Sequence, residues 1–237
     1  MTTYILAGGY MSKAPDGGKS FYQSIVGGLN GAVVLLCPFA EEEANWEKAC
    51  KSYEEKLASA NPGVLFTFLR AKPERMVEQI ADAHVIIYLG GQSDRLMETL
   101  CKIDGWLEAD LADKTVVGTS AGAYMLSTDY VKTSDKPEML HGTSHVACAV
   151  VAHYRKPKVI WGVEDPRTDY WNAVDDMLDR SEKSSWPVYR LHEGTFVIHR
   201  HHNWRRDDSH MTVAQPAARL FQYSFVSEKV VRDIELR

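Results

Sequence analysis

Short unbroken apolar runs, bounded by glycine or proline, recur along the first half of the chain and leave few folds open. They are TYILAGG (3–9), AVVLLCPF (32–39), VLFTFL (64–69), HVIIYLGG (84–91) and TVVGTS (115–120). Val/Ile/Leu runs of this length without alternation fit strands buried on both faces. Polar stretches of helical period separate them. Residues 41–60 open on consecutive glutamates, which suit the positive end of a helix. Residues 73–82 open with Pro73 and Glu74, a favourable first turn. Residues 92–112 read as one or two helices with a break at Gly105. Strands alternating with helices imply right-handed βαβ units. The expectation is an α/β fold: a three-layer sandwich with a mostly parallel central sheet, helices on both faces, and a single domain over residues 1–237.

The second half is less regular. Residues 168–183 look helical, while VYRL (188–191) and TFVIHRH (195–201) read as strands around the His192-Glu193-Gly194 turn. RLFQYSFV (219–226) alternates, as a late half-exposed strand would. A net charge of -5 with no basic stripe argues against nucleic acid or an anionic membrane as the main partner. No apolar run approaches the length of a membrane span. The opening MTTYILAGGYMSK lacks a basic leader segment and reads as a first strand. Cys37, Cys50, Cys101 and Cys148 are widely spaced and form no C-x-x-C pair. Buried thiols in a reduced, cytoplasmic protein are the expectation. None of these features encodes an oligomeric state.

The chemistry-bearing candidates sit at strand ends. Gly118-Thr-Ser120-Ala-Gly122 follows a strand and precedes a run of helix formers, the setting of a nucleophile elbow. The same pattern fits a close-packed turn equally well. Leu89-Gly90-Gly91-Gln92-Ser93 ends another strand, and its amides could face the crevice beyond the sheet. Of nine histidines, His84 opens a strand, and His141 and His145 lie in a polar connecting stretch. His199, His201 and His202 crowd together, but no carboxylate or cysteine completes a metal spacing, so no metal is expected. His153 closes the apolar run VACAVVAHY and is the best placed of several for a base. Gly18-Lys19-Ser20 is no phosphate loop, because Lys13 stands where the first glycine belongs. The Gly27-Gly28…Gly31 cluster precedes a strand, which a dinucleotide fingerprint would follow.

Together these residues resemble peptidase E and the related cyanophycinases, serine hydrolases on a glutamine-amidotransferase-like fold. The resemblance rests on Gly118-Thr-Ser-Ala-Gly-Ala123 and on Gly90-Gly91-Gln92 in place of the family's Gly-Gly-Asn turn. It rests also on Thr133-Ser-Asp-Lys-Pro137, Ala152-His153-Tyr154 and Leu191-His-Glu-Gly194, over about residues 80–200. It implies Ser120 as nucleophile, His153 as general base and Glu193 as the acid that orients it. The amides of Gly91 and Ala121 would hold the oxyanion, and Asp135 is the second candidate for the acid or, with Arg167, for substrate binding. No cofactor is implied. Where the family's aspartyl dipeptidases carry Gly-Glu-Thr-Arg, this chain has Val163-Glu-Asp-Pro-Arg-Thr168. Arg167 is thereby the candidate for gripping a substrate aspartate. The implied activity is a serine peptidase acting on dipeptides or short peptides, including those with an N-terminal aspartate. A hydrolase of non-peptide amides or esters, and a binding protein without activity, are the alternatives. The order Ser…His…Glu differs from that of the α/β-hydrolases, which place the acid before the histidine. Relatives that move ammonia from glutamine carry cysteine at the elbow, so serine argues against that reaction.

Overall fold

The apolar runs of the first half lie side by side in one sheet. A computed structural model describes residues 1–156, 158–160, 163–165, 167–182, 186–201 and 221–223. The chain begins β1 (Thr2–Ala7), α1 (Lys19–Val26), β2 (Gly31–Cys37), α2 (Trp46–Ala60) and β3 (Leu65–Arg70). It continues α3 (Met76–Asp82), β4 (Val85–Tyr88), α4 (Ser93–Leu100), β5 (Thr115–Thr119) and α5 (Ala121–Leu126). Then come β6 (Ser127–Thr133), β7 (Pro137–His141), β8 (Val146–Ala152), β9 (Lys158–Ile160) and β10 (Val163–Asp165). The last described elements are α6 (Thr168–Glu182), β11 (Val188–Leu191), β12 (Phe196–His201) and β13 (Phe221–Tyr223).

The main sheet runs in the order β13-β12-β1-β5-β4-β2-β3. From β1 to β3 every pairing is parallel, and only β12 and β13 run against their neighbours. Alternate residues of each central strand feed opposite cores. Ile5, Val34, Leu36, Ile87 and Val117 pack on Phe21 and Ile25 of α1 and on Leu57 of α2. Leu6, Leu35, Ile86 and Val116 pack on Met76 and Ile80 of α3, Leu96 of α4 and Leu126 of α5. Each such buried aliphatic side chain contributes about 1.5–3 kcal/mol, which is why these central runs carry no polar alternation. VLFTFL, expected to be buried on both faces, is instead the edge strand β3 with Leu65 83% exposed, because no strand covers its outer side.

Residues 127–191 add a second sheet, in the order β11-β8-β6-β7, that the sequence reading did not anticipate. Val146, Cys148 and Val150 of β8 join the core beneath the main sheet. Ala149 and Val151 face outward and are covered by Trp171, Val174 and Leu178 of α6. His141, read as part of a connecting stretch, lies in β7. VYRL and TFVIHRH are strands as expected but do not pair with each other. β11 joins β8 in the second sheet, and β12 joins β1 in the main one. In the 92–112 stretch the helix ends at Leu100, and turns follow through Gly105, whose φ is 74°. Among the described residues no helix is long and apolar enough to cross a membrane. Cys37, Cys50 and Cys148 are buried, Cys101 is exposed, and all are free thiols. His202 and Pro166 lie outside the described residues, as does most of the 219–226 stretch around β13.

Candidate active site

The candidate residues converge because each follows the carboxyl end of a strand. Ser120 follows β5, Gly90-Gly91 follow β4, His153 follows β8 and Glu193 follows β11. A fifth strand end, Gly8-Gly9-Tyr10 after β1, completes the ring.

Ser120 caps α5 with φ 53° and ψ -107°, a strained conformation for a residue with a side chain. Such strain costs on the order of 1–3 kcal/mol and persists only where its surroundings enforce it. Here the Ser120 amide donates to the Ala7 carbonyl at 2.8 Å, tying the elbow to β1. The two flanking glycines are steric requirements. A Cβ at Gly118 would lie 2.4 Å from the Gly122 carbonyl oxygen, and one at Gly122 would lie 2.3 Å from that of Tyr88.

Ser120 Oγ lies 2.9 Å from His153 Nε2, and His153 Nδ1 lies 3.1 Å from Glu193 Oε1. Glu193, and not Asp135, is the carboxylate on the histidine. Its side chain is 9% exposed and that of His153 19% exposed, so the relay is largely shielded from water. Lys13 Nζ bonds Glu193 Oε2, and Lys156 Nζ reaches Oε1 at 2.9 Å. Burial works to raise the Glu193 pKa, but the lysine and histidine hydrogen bonds outweigh it and hold it below the usual glutamate value. Burial pushes the His153 pKa down, against the pull of Glu193, and the result is a histidine that favours its neutral form.

The imidazole is also placed by backbone. His153 has φ 54°, and its amide donates to Gly8 O at 3.3 Å. A Cβ on Gly9 would come 2.6 Å from His153 Cε1, so only glycine lets the turn after β1 pass beneath the ring. The Tyr10 ring meets the imidazole edge-on at 5.5 Å. From within α5, the Tyr124 hydroxyl donates to Ala152 O at 3.3 Å and accepts from Ala152 N at 3.2 Å. One hydroxyl thus ties the serine's helix to the strand end that carries the histidine.

The Gly90-Gly91 turn lies against the serine. A Cβ on Gly90 would sit 3.3 Å from Ser120 Cβ, and Gly91, with φ 141°, leaves no room for one beside Ala40 O. The amides of Gly91 and Ala121 have no hydrogen-bond partner among the described residues. A cavity of about 420 Å³ opens here, lined by Ser120, His153, Gly90 and Gly91, with Glu41 and Lys56 as its charged walls. Arg167 and Asp135 are not part of that lining. The Arg167 guanidinium donates to Ser134 O at 3.3 Å and lies 3.7 Å over the Tyr170 ring, whose phenol also feels Asp135. Among the described residues no group of His, Cys, Asp and Glu is arranged to hold a metal ion.

Lys13, Lys156, Tyr124 and the Gly8-Gly9 pair were not singled out from the sequence. The glycine pair carried a usable signal, since it ends a strand just as Gly90-Gly91 does. The lysines and Tyr124 carried none, because nothing local distinguishes them from solvated or core residues.

The model of peptidase family S51 matches residues 5–206. No curated protein sequence matches the chain at a significant level. Among solved structures the chain is similar to a candidate peptidase E protein from Listeria monocytogenes EGD-e. The identity is 17%, with 84% of this chain and 94% of that one covered, at a TM-score of 0.54. It is also similar to a peptidase from an acI-B1 Actinobacterium, at 19% identity, 84% and 83% coverage and a TM-score of 0.50. At such identities the likeness is one of fold.

Proposed function

The chain belongs to peptidase family S51, a family of serine-type peptidases, and on that premise we propose that it cleaves dipeptides or other short peptides through an acyl-enzyme on Ser120. The observation that carries this reading is the continuous relay Ser120 Oγ–His153 Nε2 and His153 Nδ1–Glu193 Oε1, at 2.9 and 3.1 Å.

A serine hydroxyl is a weak nucleophile near neutral pH. His153 Nε2 takes the Ser120 proton as Oγ bonds to the scissile carbonyl carbon. Glu193 holds Nδ1–H, which fixes the tautomer and stabilises the imidazolium. The carbonyl oxygen becomes an oxyanion, for which the Gly91 and Ala121 amides are the available donors, the latter at a helix N-terminus. His153 then gives its proton to the departing amine, and the C–N bond breaks. Water, deprotonated by the same imidazole, hydrolyses the ester and returns the proton to Oγ. The cavity is of a size suited to small ligands, which favours a short peptide over a folded protein.

Ser120→Ala and His153→Ala should each lower kcat by about 10⁴-fold or more, and the double variant should be little worse than either. A fluorophosphonate should label the native protein and not Ser120→Ala. Unchanged peptide cleavage by Ser120→Ala would remove the reading. Arg167 is the candidate for a preference for N-terminal aspartate, and a dipeptide library compared with Arg167→Ala measures it. Loss of aspartate selectivity alone is the expected result; an unaltered library profile removes Arg167 from that role.

A further inference from the structure

We propose that Lys13 and Lys156 form a cationic clamp on Glu193 that positions this carboxylate and helps keep the proton off His153, so that the two lysines extend activity to lower pH. The inference rests on the catalytic reading above and adds a tuning device to it.

A carboxylate alone beside a histidine stabilises the imidazolium and raises its pKa. Here that carboxylate is shared. Glu193 Oε1 takes both His153 Nδ1 and Lys156 Nζ, at 3.1 and 2.9 Å, while Oε2 takes Lys13 Nζ. Two ammonium groups against one carboxylate leave a net positive charge beside the ring. The clamp has its own scaffold. Lys13 Nζ lies 5.4 Å and Lys156 Nζ 4.7 Å from the centre of the Tyr10 ring, within cation–π range. That ring in turn abuts the imidazole. Lys13 comes from the turn after β1, Lys156 from the turn after β8, and Glu193 from the turn between β11 and β12.

The remaining groups around His153 do not offset the lysines. From α5 only the neutral Ser120 hydroxyl faces it. Glu41 and Lys56, across the cavity, are of opposite sign. Arg155 turns away to Tyr154 and Asp175, and His192 packs on Tyr154. Glu193 is therefore free to orient the imidazole without making it strongly basic. The base stays neutral, and so competent, at lower pH than an unclamped relay would allow.

The test is an NMR titration of the His153 imidazole, assigned with His153→Gln. It is run on the native protein, Lys13→Met, Lys156→Met, the double variant and the two arginine variants. The acid limb of kcat/KM on a dipeptide is measured alongside. Methionine keeps the aliphatic stem and removes the charge. Each single methionine variant should raise the His153 midpoint by about 0.5–1 pH unit, and the double variant should raise it further. The acid limb should move with it, and arginine should restore both. A midpoint that stays put or falls in the methionine variants overturns the proposal, whatever happens to the rate. A native protein that hydrolyses no peptide would defeat the catalytic reading instead, and leaves the imidazole titration readable.

Discussion

Ser120 and His153 both hold positive φ, 53° and 54°, and each is kept there by the end of β1. The Ala7 carbonyl takes the Ser120 amide and the Gly8 carbonyl takes that of His153. Strain at these two residues is thus shared through one short segment, whose glycines make the approach possible. Gly9→Ala tests the point. Its Cβ would sit 2.6 Å from the imidazole on a backbone of φ 91°, so the ring must shift. A displacement near 1 Å costs about 10²-fold in catalysis, and kcat/KM should fall by that amount while the thermal midpoint also drops. Unchanged kinetics in Gly9→Ala would show that the ring is placed by something other than β1.

α5 is the element on which both sheets converge. It starts at the elbow, packs its buried face beneath the main sheet, and passes directly into β6 of the second. Gly122 lets it sit against the Tyr88 backbone. Gly122→Ala should destabilise the fold by about 3 kcal/mol or more, above the usual overpacking cost because a carbonyl in a sheet cannot swing aside. Chemical denaturation measures this, and a loss below 1 kcal/mol would deny the close packing. Tyr124→Phe removes the hydroxyl shared by the Ala152 amide and carbonyl. Leaving such groups unpaired costs about 1–3 kcal/mol. Because the next residue is His153, kcat should fall by about tenfold with KM little changed; a variant with normal kcat and reduced stability would restrict Tyr124 to packing. The elbow itself was legible in the sequence, since two glycines at that spacing after a strand admit few conformations. The role of Tyr124 was not, because a buried aromatic on a helix looks the same whether or not its hydroxyl bonds a strand end.

Across the whole molecule the shifted histidines and carboxylates act in one direction with pH, while the thiols and phenols raised by burial act the other way, at alkaline pH. His145, His153 and His192 all have pKa values below the ordinary 6.5, burial being the first cause for each. Asp16, Asp175 and Glu193 lie below their ordinary values through hydrogen bonds that outweigh burial. For every one of these the unfolded chain binds protons at a higher pH than the folded protein does. Their stabilisation is complete above the unfolded values and is lost as pH falls through the folded ones. The thermal midpoint should therefore be flat from pH 8 to 7, decline below about 6.5 as the histidines titrate, and decline again below about 4.5 with the carboxylates. A midpoint that rises on acidification to pH 5 would contradict this. Activity has the same sign, since the base works unprotonated. It should persist below pH 6.5 and fall as pH drops through the lowered His153 value.

What the residues determined by themselves was local. Most of the apolar runs bury both faces as central parallel strands, VLFTFL at the sheet edge excepted, and Gly118-x-Ser120-x-Gly122 has steric room only at a sharp turn. Composition and spacing alone left His153 one histidine among several, and left Glu193 a polar turn residue. The tertiary structure decided which of them meet. It built a second sheet whose β8 carries His153 to the elbow, and split the strands around Glu193 between two sheets so that its carboxylate reaches inward. Ser120 and His153 are 33 positions apart, His153 and Glu193 are 40 apart, and Lys13 and Glu193 are 180 apart. No local periodicity spans such separations, so contacts of this kind exist only once the packing of whole layers has chosen them.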